Sequence, residues 1–250
     1  MQIKNLFRYP VKGLSAEPLT NATLTPGHSI PWDRAFALAQ GDAPFDPAAP
    51  AFLPKSNFMC LMRNGRVATL RARFTAGPPW LTITAPDATT VAADPTTAPG
   101  RASLGRFLTA FLGDEARGTP VFHHAPGHTF GDQRAPVVSL LNRASLRAFE
   151  ADQGAVREAA RFRANILFEG LPPWAEFNWV GHRLRISTAI LEVTKRTVRC
   201  AAVEVNPATG ARDAEPISEL RRLYGHADLG VHATVIEGGR IAPGDTIERL

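Results

Sequence analysis

The chain has 250 residues, 44% of them hydrophobic, which is enough for one large domain or two small ones with a buried core. The net charge is +5, but only four of the 28 basic residues are lysines and they are dispersed, so we expect no nucleic-acid partner. No apolar run approaches the roughly 18 residues of a membrane span, and the N-terminus lacks a secretory signal. We therefore expect a cytoplasmic protein without membrane association.

The first part of the chain is predicted to be β-structure. Its short segments are rich in β-branched and aromatic residues and are separated by Pro, Gly, Asn and Asp, which favours a barrel or sandwich. The Asn-Gly pair in "RNGR" (63–66) predicts a hairpin with a type I′ turn. The Pro- and Ala-rich stretch 41–54 predicts an irregular loop. The segments predicted as strands are "IKNLFRYPV", "RAFALAQ", "NFMCLMRNG", "RVATLRARF" and "WLTITAP".

One helix is predicted after these strands, with Ser103 as its cap and Gly113 as its end. Its apolar stripe comprises Leu104, Phe107, Leu108 and Phe111. We place a domain boundary just beyond it, between residues 118 and 119.

Two further helices fall in the second part of the chain. One is expected over 142–152, ending at Gly154 with Leu146 and Phe149 inward, and the other begins at Pro216. The rest is again β-like, and the last two strands are predicted to form a hairpin across 237–239. The sequence thus predicts a mainly β (α+β) protein with domains 1–118 and 119–250.

Several familiar functional motifs are missing. The chain has no glycine-rich dinucleotide or phosphate loop and no Cys or His pair with zinc spacing. Its two cysteines, Cys60 and Cys200, are too few for a disulfide framework or an iron–sulfur cluster. If the protein does redox chemistry, its electrons must come from a separate protein.

Cys200 has three open interpretations. It alternates with Val198 and Ala202 in an apparent strand, which favours a small buried hydrophobe. The basic residues before it (Lys195, Arg196 and Arg199) favour a thiolate, either as a nucleophile or as a ligand of a soft metal. Cys60 has no such neighbours, and we interpret it as a core residue.

Other basic residues fall at turns and strand starts. Lys12 lies in a turn, Arg34 precedes a strand, and Arg161 and Arg163 alternate so that both are expected on one strand face. Each is compatible with an ordinary solvated surface. Together they could converge on an anionic ligand, since arginine binds phosphate with two hydrogen bonds.

Six motifs in the same order resemble those of the MOSC family with its N-terminal β-barrel partner domain. They are "YPVKGL", "DRAFAL", "RFRANI", "VRCAAVEVNPATG", "LYGHADLGVHATV" and "GGRIAPGD". That family includes the C-terminal domain of molybdenum-cofactor sulfurases and the amidoxime-reducing component with its bacterial relatives. The resemblance spans nearly the whole chain.

The resemblance implies a molybdenum cofactor, a pterin dithiolene with a terminal phosphate (Mo-molybdopterin). Cys200 would be the protein ligand of molybdenum, and Cys200 and Asp132 are the expected catalytic residues. Asp132 or Arg134 would lie in the loop 130–138, which faces the cofactor. The other residues that match cofactor-binding positions are Lys12, Gly13, Arg34, Arg163, Val198, Arg199 and His232.

Three of these positions depart from the family pattern. Gly13 stands where some relatives have serine, Val198 where amidoxime reducers have serine, and His232 where they have tyrosine. Each departure changes a hydrogen-bonding group, so the resemblance implies metal binding more strongly than it implies a particular substrate.

The resemblance implies an N-terminal β-barrel-like domain and a MOSC β-barrel with a few helices, with the cofactor in a cleft between them. The expected reaction is reduction of an N-oxygenated compound, such as an amidoxime or hydroxylamine, with electrons from a separate donor protein. The alternatives are a sulfur carrier or sulfurtransferase acting through Cys200, and a cofactor-binding module without catalysis.

Overall fold

A computed structural model describes all residues, 1–250, and confirms the mainly β fold class. The helices are α1 (Ala98–Leu112), α2 (Arg143–Gln153) and α3 (Pro216–Tyr224), with short 3-10 helices between elements. The strands are β1 (Gln2–Arg8), β2 (Glu17–Pro18), β3 (Ala22–Leu24), β4 (Phe36–Ala39), β5 (Arg71–Ala76), β6 (Pro79–Thr84), β7 (Thr90–Ala93), β8 (Val121–His124), β9 (Val138–Asn142), β10 (Ile166–Glu169), β11 (Arg183–Ile186), β12 (Ala189–Val198), β13 (Asp228–Glu237), β14 (Gly239–Ile241) and β15 (Ile247–Arg249).

An eight-stranded curled sheet surrounds the first hydrophobic core. Its order is β15-β11-β12-β13-β9-β10-β1-β2, antiparallel except for the parallel pair β9–β10. The two ends meet, because Ile247 N donates to Met1 O over 2.8 Å and Ile3 N donates to Asp245 O over 2.9 Å. Apolar side chains from distant parts of the chain, including Ile3, Phe168 and Val231, fill the interior.

A second core lies beneath the smaller sheets. The pair β4–β8, the sheet β5-β6-β7 and α1 contribute Phe36, Phe74, Leu81 and Leu104, all of them buried. The apolar stripe of α1 therefore packs as predicted, with Leu104 and Leu108 fully buried. The helix begins five residues before Ser103, because the side chain of Thr97 accepts from Gly100 N and caps it there.

The other two helices match the sequence prediction closely. Asn142 caps α2 through Ala144 N, and Gly154 ends it in the left-handed conformation. Proline occupies the first turn of α3, as expected from Pro216. The stretch 41–54 contains no strand or helix, which confirms the irregular loop.

The predicted hairpin at 63–66 is wrong. Asn64 is buried, and its side chain accepts from Cys60 N and donates to Glu115, so it closes a turn instead. Gly65 then begins a 3-10 helix. A Cβ on Gly65 would lie 2.7 Å from Gly210 O, so close packing against a neighbouring turn favours glycine there.

The predicted terminal hairpin is also wrong, because β14 pairs with β3 and not with β13. The sequence shows a turn at 237–239 but gives no sign of this distant partner. The boundary between residues 118 and 119 stays a prediction, although β1 lies in the sheet of the second part and β8 pairs with β4. None of the helices has both the length and the apolar character needed to cross a bilayer.

Candidate functional site

A polar cleft of about 240 Å³ lies where the two cores meet. One side is formed by the turns around β1 and β4 and by segment 55–62. The other side is formed by the loop 129–137, the segment before β10 and the end of β12. The cleft is therefore lined by segments that are distant in the sequence and that come from both predicted domains.

Nine of the ten residues predicted for the site line this cleft. Arg134 is the exception, because its guanidinium lies 5.1 Å from the centroid of the Phe52 ring instead. The residues that line the cleft are Lys12, Gly13, Arg34, Asp132, Arg163, Val198, Arg199, Cys200 and His232.

Cys200 is not part of a regular strand. Strand β12 ends at Val198, which is 70% exposed, and a 3-10 helix begins at Ala201. The expected alternation of apolar side chains through Cys200 is therefore wrong. Its partly exposed position at the cleft disfavours the interpretation of Cys200 as a buried hydrophobe and leaves the thiolate and ligand interpretations.

The pairing of β12 with β13 is irregular just before Cys200. Register shifts occur between Val193 and Lys195 and again between Arg196 and Val198. Irregularities of this kind bend a strand and redirect side chains, and they are common beside functional sites. Here they precede the segment that brings Arg199 and Cys200 to the cleft.

Cys60 is buried, as predicted, but it also lines the cleft. Burial raises the pKa of the Cys60 thiol, although a backbone hydrogen bond and the charge of Lys12 oppose the shift. Cys60 is therefore held as a neutral thiol in the wall, while Cys200 is the more accessible sulfur.

Asp132 links two lysines at the cleft. Lys12 is buried, donates to Phe130 O over 2.8 Å and forms a short ion pair with Asp132. Lys55 Nζ lies 3.5 Å from Asp132 Oδ2. Burial opposes ionisation of Asp132, but the two lysines outweigh it and lower the pKa of the carboxyl. Asp132 is thus an ionised, partly exposed acceptor.

Arg34 and Arg163 both adopt left-handed backbone conformations, with φ of 52° and 50°. Non-glycine residues adopt this region at a cost, and such residues cluster at functional sites. The prediction that Arg161 and Arg163 share a strand face is wrong, because 159–162 is a 3-10 helix and β10 begins at Ile166. Both arginines nevertheless reach the cleft.

Two arginines of the cleft have no carboxylate partner. Arg163 Nη1 donates to Leu14 O over 2.7 Å, and Arg199 Nη1 donates to Phe162 O over 2.7 Å. Burial lowers the pKa of each guanidinium to about 10, assisted at Arg163 by the charge of Arg34. Both remain charged at neutral pH, so the cleft has an excess of positive charge.

Glycine at 230 allows Arg199 to lie where it does. Gly230 has φ of 81°, and a Cβ there would lie 2.4 Å from Leu140 O and 3.3 Å from Arg199 Nη2. A side chain at this position would strain the backbone and press on the guanidinium.

Two buried polar atoms near Cys200 have no hydrogen-bond partner. They are Thr197 Oγ1 and His232 Nδ1, and both side chains belong to the cleft lining. Burial, together with Arg199 and Lys195, lowers the pKa of His232 to about 3. His232 is therefore a neutral imidazole at physiological pH.

Sequence reasoning missed Lys55 and Thr197. Burial opposes the charge of Lys55, but the neighbouring Cys200 and Asp132 raise its pKa. Lys55 follows the irregular loop 41–54, where no periodic pattern indicates which side chains face the cleft. Thr197 precedes Cys200 by three residues, but its burial depends on the register shifts of β12.

Two family models match consecutive parts of the chain. The MOSC N-terminal beta barrel domain matches residues 1–108, and the MOSC domain matches residues 125–248. The chain belongs to the MOSC family. The resemblance seen in the sequence motifs is thereby confirmed.

Curated MOSC relatives include two molybdenum cofactor sulfurases. The Drosophila mojavensis protein is 29% identical over 44% of this chain and 13% of its own length. The Caenorhabditis briggsae protein is 32% identical, again over 44% of this chain, and over 15% of its own length. The chain therefore matches only a small part of these longer relatives.

Solved structures with some likeness include YuaD from Bacillus subtilis and YiiM from Geobacillus stearothermophilus. YuaD is 12% identical, with a TM-score of 0.47, and the match covers 99% of this chain and 94% of that one. YiiM is 17% identical, with a TM-score of 0.36, and the match covers 45% of this chain and 53% of that one.

The residues of the cleft fit an anionic cofactor with polar ring atoms. Arg163 and Arg199 offer charged donors that no carboxylate of the chain neutralises. Thr197 and His232 leave polar atoms unpaired, which is rare in folded proteins, and a polar ligand is one source of the missing partners. Cys200 adds a soft sulfur donor at the same cleft.

Proposed function

We propose that this protein binds a molybdenum cofactor in the cleft and reduces N-oxygenated compounds with electrons from a separate donor protein. The observation that carries the proposal is the placement of Cys200. It is a partly exposed thiol in a cleft that also contains arginines without carboxylate partners. A sulfur ligand beside an excess of positive charge suits a metal cofactor with a phosphate.

Different residues of the cleft would bind different parts of the cofactor. Cys200 would supply the protein's sulfur ligand to molybdenum. Arg34, Arg163 and Arg199 would offset the negative charge and hydrogen-bond the phosphate, for which planar guanidinium groups are suited. Lys12 already donates hydrogen bonds to Phe130 O and to Asp132, so we propose that it positions the 130–132 segment. When bound, the cofactor would supply the two-electron chemistry that removes oxygen from the substrate.

Two side chains of the chain would contact the substrate. The ionised Asp132 can accept a hydrogen bond from an N-hydroxyl group. His232 is neutral, so it can hydrogen-bond a substrate but is not a stored acid at neutral pH. Val198 adds an exposed apolar surface beside Cys200, where amidoxime reducers have serine.

A second candidate is sulfur transfer, which the names of the sulfurase relatives favour. The accessible Cys200 beside Lys55 would accept the outer sulfur of a sulfane donor, forming a persulfide and releasing the donor as a thiol.

Metal analysis separates these functions. We expect the full chain, purified from a host that makes the cofactor, to hold molybdenum near one per chain. The metal should be lost in Cys200→Ala and kept in the matched control Cys60→Ala. A metal-free wild type that accepts sulfane sulfur on Cys200 would support sulfur transfer instead.

The reductase reaction needs its own assay. We expect the molybdenum-loaded chain to reduce a benzamidoxime-type substrate when a reduced dye supplies electrons. Full loading without turnover, with several N-hydroxylated substrates, would contradict the reductase and leave a cofactor-binding module.

A further inference from the structure

Tyr9 lies beneath two arginines of the cleft. The guanidinium carbons of Arg34 and Arg163 each lie 4.3 Å from the centroid of the Tyr9 ring. Tyr9 is 2% exposed, so this contact is shielded from water. Cation–π contacts gain strength when they are desolvated, so both contacts are expected to be significant.

Two neighbouring guanidinium groups repel each other and need compensation. Asp33 pairs with Arg34 over 2.5 Å, but no carboxylate pairs with Arg163. The charge of Arg34 contributes to the lowered pKa of Arg163, after burial. The negative face of the Tyr9 ring is the feature that attracts both cations at once.

Hydrogen bonds fix the Tyr9 ring relative to both arginines. Arg34 N donates to Tyr9 O over 2.7 Å, and Tyr9 N donates to Asp33 Oδ1 over 2.8 Å. The Tyr9 hydroxyl donates to Ala164 O over 3.2 Å, one residue beyond Arg163. Arg34 Nη2 also donates to Arg163 O over 3.1 Å. The ring is thus tied to the segments that carry the two guanidinium groups.

Each arginine retains donors for a ligand. A guanidinium has five N–H groups, of which Arg34 uses two here and Arg163 uses one. Because both side chains line the same cleft, an oxyanion can receive hydrogen bonds from both.

We propose that Tyr9 is a positioning residue that holds Arg34 and Arg163 together before a ligand arrives, so that the cleft contains a preformed site for a phosphate-type anion. The inference rests on the proposed function to the extent that the natural anion is the cofactor phosphate. A preformed site binds more tightly because its side chains are already ordered.

The test is a titration of the metal-free full chain with inorganic phosphate by calorimetry. We expect Tyr9→Leu to weaken phosphate binding about tenfold through loss of two cation–π contacts. Tyr9→Phe keeps the ring and should bind within about twofold of wild type. Tyr224→Leu is the matched control, because Tyr224 packs on Trp174 and bonds Asp152 outside the cleft.

A double-mutant cycle separates positioning from general loss of structure. If Tyr9 acts through the arginines, adding Tyr9→Leu to Arg163→Met should cost less than about threefold, because one of the two cation–π contacts is already gone. Additive losses, or loss in Tyr9→Phe equal to that in Tyr9→Leu, would overturn the proposal. So would unchanged binding in a folded Tyr9→Leu, or a wild type that does not bind phosphate.

Molybdenum content distinguishes this inference from the proposed function. Equal molybdenum content in the wild type and in Tyr9→Leu would overturn the positioning role of Tyr9 and support cofactor binding. A wild type that holds no molybdenum, but whose phosphate affinity still depends on the Tyr9 ring, would contradict cofactor binding and support the anion site.

Discussion

Arg157 and the cleft residues Arg163 and Arg199 are partly buried arginines that are held in different ways. Arg157 forms two hydrogen bonds with Glu219, at 2.6 and 3.2 Å, and so connects the segment after α2 to α3. Arg163 and Arg199 have carbonyl groups and aromatic rings as partners but no carboxylate. The first arrangement is complete within the chain, whereas the second leaves positive charge for a ligand. Partners, more than burial, therefore distinguish Arg157 from Arg163 and Arg199, which we propose to bind the ligand.

The largest expected effect contrasts Arg157 with Arg163. Arg157→Met leaves Glu219 without its cation, and breaking such a pair costs about 3 kcal/mol of the free energy of unfolding. Arg163→Met removes a charge that has no carboxylate, so we expect a change within about 1 kcal/mol. Phosphate binding should show the opposite pattern, weakened but still measurable in Arg163→Met and unchanged in Arg157→Met. Urea denaturation measures the stability changes, and calorimetry measures phosphate binding. Equal destabilisation by the two substitutions would contradict the proposed difference between Arg157 and Arg163.

The two cysteines offer a second contrast within the same cleft. Cys200 is partly exposed, while burial raises the pKa of Cys60 and shields it. We expect a thiol reagent to modify Cys200 at least about tenfold faster than Cys60 in the folded, metal-free chain. Mass spectrometry of each cysteine peptide over time measures the rates. Faster modification of Cys60 would contradict the geometry of the cleft.

Asp132 should give a smaller effect that depends on pH. Its pKa is lowered in the folded state, so its pairing with Lys12 stabilises the fold above the ordinary aspartate pKa and is lost as pH falls through the lowered value. Because the carboxyl is partly exposed, we expect Asp132→Asn to cost at most about 1 kcal/mol at pH 7. Denaturation curves should show this difference shrinking below about pH 4. A difference that grows in acid would contradict this.

The smallest expected effect concerns His232. Because its pKa is about 3 and that of Arg163 is about 10, neither group changes charge between pH 5 and 8. Sulfate keeps its charge over this range, so its affinity should vary by less than about twofold. A titration midpoint near pH 6.5 that disappears in His232→Gln would show that His232 is protonated and would change its proposed role.

The sequence predicted the helices better than the strand pairing, and most of the expected site residues lie together in the cleft. Asn142, Gly154 and Pro216 are local signals that placed helix ends well, whereas Ser103 did not, because Thr97 caps the first helix. The partner of β14 and the curled sheet depend on distant contacts that no short pattern encodes. Hairpins inferred from Asn64-Gly65 and from the last turn failed for that reason.

Candidate residues of the site could be named from the sequence, but their arrangement in space could not be predicted. Nine of the ten residues indicated by the family motifs line the cleft, and Arg134 lies against Phe52 instead. The sequence does not fix which residues of the 130–138 loop face the cleft. Lys55 was missed because it follows an irregular loop. The role of Tyr9 was missed because its partners Arg34 and Arg163 are far apart in the chain.

The most direct test of the account is the amount of molybdenum and of pterin released when the protein is denatured. The full chain, purified from a host that makes the cofactor, should release both at close to one per chain. Arg163→Met combined with Arg199→Met should release far less of both, while Arg157→Met should match wild type. A wild type that binds neither would contradict the central claim that the cleft's unpaired positive charge serves a molybdenum cofactor.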